Sequence, residues 1–122
     1  MKYLLLFFLA SCGEPPHPVV SFIWDYYGAN SQPPDIVWHI GTCDWQHRYG
    51  ISYDGKCYHG LYFPDTETIH VEWRGKFSDT ALAHELLHAY QYQDLGILDY
   101  QHDRPEWHTE ILVLEEMKER GW

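Results

Sequence analysis

The stretch that decides the fold reads TALAHELLHAY and covers residues 80–90. It contains no glycine or proline, its residues favour a helix, and Gly96 is a natural stop beyond it. Residues four apart on a helix lie on one face, so His84 and His88 can present two imidazoles to one metal ion. Zinc fits this pair, because it accepts neutral imidazole nitrogen and its catalytic sites use three protein ligands and leave one position open. Glu85 directly follows the first histidine, which places a general base beside that open position.

Two histidines do not complete such a site, so a later residue must supply the third ligand. His102 lies on the connection after Gly96 and can turn back over the first helix. A second helix is predicted from about residue 104 to 119, and it carries further candidates. These alternatives are Glu106, Glu110 and His108. The residues alone leave the choice open.

A family resemblance extends beyond the central helix. The run AHELLHA at residues 83–89, then Gly96, Asp99, His102 and Trp107, resembles the metal-binding segment of zincin metallopeptidases, which carry the HExxH motif. More narrowly, it is similar to small bacterial lipoprotein-type metallopeptidases. The resemblance covers roughly residues 68–110 and is most specific at the helix.

The resemblance implies a site and an activity. It implies Zn2+ as cofactor, His102 as the third ligand and Asp99 as a partner behind the ligands. It further implies zinc-dependent hydrolysis of peptide bonds in a peptide or protein substrate, with Glu85 as the general base acting on water. In zincins, an edge strand borders the cleft and pairs with an extended substrate, and strand 68–73 is expected to take that place.

The N-terminus has the features of a bacterial lipoprotein signal. A short apolar stretch follows Met1-Lys2, and residues 9–12 read LASC, which matches a lipobox. A transmembrane helix needs roughly 20 apolar residues, so this stretch is too short to be one. Residues 1–11 are therefore predicted to be a removable signal peptide, with Cys12 carrying the lipid.

The rest of the chain is predicted to hold a short spacer and one domain. Residues 12–18 are rich in proline and are interpreted as a tether, and residues 19–122 are long enough for a single core. The expected location is the bacterial cell envelope. Because Gly13 follows the lipidated cysteine, a lipid anchor in the outer membrane, facing the periplasm, is favoured over the inner membrane.

The predicted fold is α+β with a minimal zincin-like architecture. Alternating apolar residues predict strands at 35–40 and 68–73, and Asp54-Gly55 predicts a tight hairpin over residues 51–58. We expect a small, mainly antiparallel sheet from residues 35–73 packed on a metal-binding helix at 79–95. A C-terminal helix, at about 104–119, should pack across that helix.

The cysteines support an exported setting. With Cys12 carrying lipid, Cys43 and Cys57 remain as an even pair, and an oxidising compartment would allow a disulfide between them. A second metal site is the alternative, formed by these two cysteines with His39, His47 or His59. Their spacings match no standard site.

Charge and composition limit the classes of partner. The chain has 8 Lys and Arg against 18 Asp and Glu, a net charge of −10, which disfavours binding to nucleic acid or to anionic lipid. One rival interpretation is a non-catalytic zinc-binding envelope lipoprotein with a structural or partner-binding role. Another is a metal-free envelope domain that binds through its aromatic surface. Glu85 favours catalysis, because a structural zinc site has no need of a carboxylate beside an open position.

Overall fold

The structure is a computed structural model that describes residues 17–40, 44–49, 57–73 and 77–122. It confirms the predicted α+β class. The elements, in chain order, are α1 Pro18–Tyr26, β1 Asp35–His39, α2 Asp44–Arg48, β2 Gly60–Phe63, β3 Thr68–Glu72, α3 Phe77–Leu95, a 3₁₀ helix Pro105–Thr109 and α4 Glu110–Glu119.

Helix α3 has 19 residues and lies against both the sheet and α1. Leu82, Leu86 and Ala89 are completely buried, so the helix is an internal element as its composition predicts. It begins two residues before the predicted start and ends at the predicted residue. Gly96 follows it with a φ of 72°, a left-handed conformation that glycine adopts readily, and its N–H donates to the carbonyl of Tyr92 at 3.0 Å.

Within the described ranges, the sheet has three strands in the order β1-β3-β2 and is mixed. β2 pairs antiparallel with β3 from Gly60↔Val71 to Phe63↔Thr68, across the turn at residues 64–67. β1 pairs parallel with β3 from Asp35↔Thr68 to His39↔Glu72. The prediction of a mainly antiparallel sheet was therefore wrong. Residues 40–67 separate the two parallel strands, which is ample for the crossover that parallel pairing requires.

Strand β3 is the central strand and is buried on both faces. Ile69 and Val71 face the core, while His70 and Glu72 on the other face are also buried. Strand 68–73 was expected to form the sheet edge beside the cleft, and this expectation was wrong. Of the strands that the structure describes, β2 is the edge on that side, because β3 already has hydrogen-bonded neighbours on both sides.

Helix α1 packs on α3 and completes the main core. The helix is capped by His17, whose Nδ1 accepts a hydrogen bond from the N–H of Val19 at 3.2 Å. His17 and Pro18 are the described residues of the predicted tether. The buried apolar residues that form the core with α1 come from α3, β3 and α4: Leu82, Leu86, Ala89, Ile69, Val71, Val113 and Met117.

The C-terminal helix is divided in two, where the sequence predicted one helix. The 3₁₀ segment Pro105–Thr109 precedes α4. Because a 3₁₀ helix has fewer residues per turn than an α-helix, it changes which of the following side chains face the core. The side chains that α4 buries are Val113 and Met117, whereas Ile111 is largely exposed.

Other predictions fall on residues outside the described ranges. They include the signal peptide 1–11, the lipidated Cys12, Cys43 and most of the 51–58 hairpin. Cys57 is described and is disulfide-bonded. Among the described helices, none combines the length and apolar composition of a membrane span.

Candidate metal centre

Three histidines converge beside helix α3. His84 and His88 stand four residues apart on the helix, and His102 comes from the loop that follows it. Each offers a ring nitrogen, and these atoms all lie within 4.8 Å of one another. The structure thus brings together the three residues that the sequence predicted as the ligand set.

The donor chemistry of the group fits zinc. Tetrahedral zinc with bonds of about 2.0–2.1 Å separates two nitrogen ligands by about 3.3 Å, and the Nε2 atoms of His88 and His102 are 3.1 Å apart. Burial, together with the charges of His84 and His102, lowers the pKa of His88 to about 4. His88 is therefore neutral near pH 7, the form in which imidazole binds a metal.

Glu110 supports His84 as a hydrogen-bond acceptor. The Nδ1–H of His84 donates to Oε2 of Glu110 at 2.8 Å, which leaves Nε2 as the nitrogen available to a metal. Burial lowers the pKa of His84, but this bond and the nearby carboxylate of Glu85 outweigh burial and raise it above its usual value. A carboxylate behind a ligating histidine fixes the ring and its tautomer. Glu110, one of the predicted alternatives for the third ligand, thus lies behind His84 and outside the group of three histidines.

Asp99 organises the loop that carries His102. Its carboxylate accepts hydrogen bonds from the backbone N–H groups of Asp103 at 3.2 Å and Arg104 at 2.9 Å, and from Nε1 of Trp107 at 2.8 Å. The N–H of His102 donates to the Asp99 carbonyl at 3.2 Å, and His102 adopts a left-handed φ of 59°. The predicted partner behind the ligands thus acts through the backbone of the loop.

Trp107 covers the three imidazoles. Its ring centroid lies 4.8 Å from that of His84, 4.7 Å from that of His88 and 4.5 Å from that of His102. The indole is held by its hydrogen bond to Asp99. Trp107 therefore links the loop that carries His102 to all three imidazole rings.

The other two alternatives for the third ligand do not join the group. Glu106 accepts hydrogen bonds from Arg104 Nε at 2.9 Å and from Gln91 Nε2 at 3.0 Å, so its carboxylate is engaged elsewhere. His108 is exposed on the 3₁₀ helix.

Glu85 is buried between α3 and the edge strand β2. Burial raises the pKa of its carboxyl group to about 7, although the charge of His84 and the backbone N–H of Tyr62 both lower it. Gly60 lies directly against it, because a Cβ atom at that position would be 3.0 Å from Cγ of Glu85. A glycine inside a strand can mark a close approach of this kind, so Gly60 carried a signal that the sequence analysis did not use.

Two cavities adjoin the histidine group. The first, of about 670 Å³, and the second, of about 710 Å³, share Tyr58, Gly60, His84 and Glu85 in their walls. The first has the more acidic wall, which includes Glu72 and Glu110. The second has an apolar and aromatic wall along β2 and the His102 loop, formed by Leu61, Tyr62, Phe63, Leu98 and Tyr100.

Comparisons of the chain with protein-family models, curated proteins and solved structures found no match. The resemblance to zincins therefore stays a prediction from the residues.

Proposed function

We propose that this protein is a zinc-dependent peptidase whose ligands are His84, His88 and His102 and whose general base is Glu85. One observation carries the proposal: the three imidazoles converge in the wall of the second cavity, and His84 and Glu85 line both cavities beside them. A substrate spanning the two cavities would pass directly over this group.

The residues divide the chemistry between them. Zinc held by the three imidazoles would supply Lewis acidity, which would polarise a substrate carbonyl and lower the pKa of water. The Glu85 carboxylate accepts a proton from the attacking water and returns a proton to the leaving amine. Glu110 keeps the Nδ1 proton of His84 in place, and Trp107 shields the rings from solvent on one side.

The edge strand β2 supports a peptide as substrate. The N–H of Glu72 donates to the carbonyl of His59, so in this antiparallel pair the backbone groups of Gly60 and Tyr62 face away from β3. An extended peptide can pair with such an edge. The Tyr62 N–H donates a hydrogen bond to the Glu85 carboxylate, so the edge strand contacts the proposed base directly.

The alternative is a zinc-binding envelope lipoprotein without catalysis, in which the metal pins the His102 loop to α3. It predicts zinc binding without turnover. In both interpretations the predicted lipid anchor at Cys12 would place the domain at the membrane surface, and this location rests on the sequence alone.

Replacement of Glu85 by glutamine tests the proposal. The amide keeps the shape of the side chain but cannot accept the proton, so we expect the variant to bind zinc like the wild type and to lose about 10²–10⁴-fold in kcat. Zinc content and hydrolysis of quenched fluorescent peptides are the measurements. Glu115→Gln, on the exposed face of α4, is the matched control and should retain full activity. Loss of zinc from the Glu85→Gln variant, or undiminished turnover, would contradict the assignment.

A further inference from the structure

A pair of histidines lies on the face of the sheet that is turned away from α3. Nε2 of His39, at the end of β1, is 2.8 Å from Nδ1 of His70, on β3, and the two rings are stacked with their centroids 5.1 Å apart. His70 is buried and His39 is half-buried. Neither residue belongs to the three-histidine group or lines the two cavities described above, so the proposed chemistry leaves this pair unused.

Aromatic rings from α2 and β2 cover the pair. The buried Trp45 of α2 stacks on His39, with centroids 4.3 Å apart and planes 8° from parallel, and it lies 5.7 Å from His70. Tyr49, directly after α2, and Phe63 of β2 approach His70 at 4.5 Å and 4.7 Å. A helix of five residues is not stable alone, so the position of α2 depends on this packing.

Gln46 connects α2 to the wall of the two cavities. Its side chain is completely buried, and its Nε2 donates to the carbonyl of Tyr58 at 2.8 Å while its Oε1 accepts from the N–H of Tyr58 at 3.3 Å. Tyr58 lines both cavities. The backbone of this wall residue is therefore held by a side chain of α2.

The hydrogen bond of the histidine pair limits how many protons the pair can hold. Each neutral imidazole has one N–H and one acceptor nitrogen, so a single proton lies between Nε2 of His39 and Nδ1 of His70. One additional proton leaves this bond in place. A second additional proton sets two N–H groups against each other and puts two positive charges in stacked rings beneath an aromatic cover, which is strongly unfavourable.

We propose that His39 and His70 form a pH-sensitive switch that holds α2 on the sheet while at least one of the two rings is neutral and releases α2 when both are protonated. Release of α2 withdraws Gln46 from Tyr58, so the wall shared by the two cavities loses its support in acid. The inference depends neither on zinc nor on catalysis.

The surroundings of the pair set the direction of the pH dependence. Burial lowers the pKa of both rings; Arg48 lowers that of His39 further and Glu72 partly offsets this, while His39 lowers that of His70. Among the described side chains that face the pair, Arg48, Tyr49 and Glu72 are charged or titratable. Because released rings regain a pKa of about 6.5, the released state binds more protons below that pH. The attachment of α2 is therefore fully present above about pH 6.5 and weakens as the pH falls.

The test measures amide hydrogen exchange by NMR in the intact chain from pH 7 to pH 5, corrected for the intrinsic pH dependence of exchange. The reporters are the N–H of Tyr58, bound to Gln46 Oε1, and the N–H of Tyr49, which donates to the Gln46 carbonyl at 3.1 Å. We expect their exchange to accelerate in acid, about tenfold per pH unit for each proton that release takes up. The amide of Leu86, in the buried centre of α3, should not follow them.

Replacement of His39 by glutamine separates charge from packing. The amide can still form a hydrogen bond with His70 but cannot gain a proton, so two charges never meet in the pair. We expect the acid acceleration at Tyr49 and Tyr58 to be largely lost. His108→Gln, an exposed histidine on the 3₁₀ helix, is the control and should keep the wild-type pH dependence.

Ring nitrogen shifts in ¹⁵N NMR follow the protonation of His39 and His70 in the wild type, and they decide the question if His39→Gln does not fold. Protonation of both rings that coincides with faster exchange at Tyr58 supports the switch. Protection of Tyr58 that persists to pH 5, or equal acid acceleration in folded His39→Gln and the wild type, would overturn it. Because these measurements need neither zinc nor turnover, that result leaves the peptidase proposal standing, and an inactive wild type leaves the switch standing.

Discussion

At the scale of single residues, the position of Glu110 distinguishes a ligand from a supporting group. Its Oε2 accepts from His84 Nδ1 at 2.8 Å, and its side chain also lines the first cavity. A glutamate that bound the metal directly would compete with His102 for the third position. In the structure a ring nitrogen of His102 lies beside those of His84 and His88, and Glu110 accepts a hydrogen bond from His84.

Glu110→Gln should weaken zinc binding without abolishing it. Glutamine can still accept a hydrogen bond, but it lacks the charge that favours the Nδ1–H tautomer of His84, and loss of such a partner typically reduces metal affinity about 10–100-fold. Competition with a fluorescent chelator measures the dissociation constant. Glu119→Gln, an exposed residue of α4, should leave the affinity unchanged. An unaltered affinity in Glu110→Gln would show that the hydrogen bond has no role in holding the metal.

At the scale of elements, the loop between α3 and the 3₁₀ helix carries His102, the proposed third ligand, and one carboxylate organises this loop. Burial alone would raise the pKa of Asp99, but the donated N–H groups of Arg104, Asp103 and Trp107 outweigh it and hold the pKa below its ordinary value. Asp99 accepts through both oxygens, Oδ1 from Asp103 and Oδ2 from Arg104 and Trp107. The loop therefore depends on a group with two acceptors.

Asp99→Asn should loosen this loop and lower zinc affinity. The amide nitrogen of asparagine must face at least one backbone or indole N–H, so a hydrogen bond is lost whichever way the side chain turns. We expect weaker zinc binding and a shift in tryptophan fluorescence as Trp107 loses its partner. Asp103→Asn is the matched control, because that side chain is exposed in the same loop. Wild-type affinity in Asp99→Asn would refute the role given to Asp99.

The helices and strands also differ in how well the sequence predicts them. The α3 helix follows from local composition, and a helix necessarily brings His84 and His88 to one face. His102, on the connection after Gly96, was one of several candidates that the residues left open, and the resemblance to zincins singled it out. The role of Glu110 could not be predicted, because the five-residue 3₁₀ segment before α4 changes the direction in which its side chains point. The parallel pairing of β1 was missed for a different reason: alternation within a strand carries no information about its neighbours.

At the scale of the whole molecule, the residues of the proposed site come from two kinds of segment, a buried helix and more exposed segments after it. Helix α3 is buried against the sheet and α1, and it supplies two of the proposed ligands and the proposed base. The proposed third ligand, His102, and the carboxylate of Glu110 come from later, more exposed segments. This arrangement fixes His84, Glu85 and His88 through the core, while the position of His102 depends on the hydrogen bonds of its own loop.

One carboxylate ties the segment after α1 to the last turn of α3. Asp94 accepts hydrogen bonds from the backbone N–H of Asn30 at 2.6 Å and of Ser31 at 3.1 Å, and from the Ser31 hydroxyl. Burial alone would raise its pKa, but these bonds, the Ser31 hydroxyl foremost, lower it. The contact spans more than sixty positions of the chain, since the two donors are 64 and 63 residues away. It therefore contributes to global stability, not to local order alone.

Asp94→Asn should destabilise the fold at neutral pH and lose its effect in acid. Bonds to a charged acceptor that is partly exposed contribute about 1 kcal/mol, so the free energy of unfolding in urea should fall by about that amount at pH 7. Because the folded pKa is below the unfolded value of about 3.9, the wild-type advantage is present above that value. It disappears as the pH falls through the folded pKa. Asp65→Asn, in the exposed turn between β2 and β3, should differ little from the wild type at any pH. A difference between the wild type and Asp94→Asn that persists undiminished at the lowest pH would mean that packing, and not the charge of Asp94, holds the two segments together.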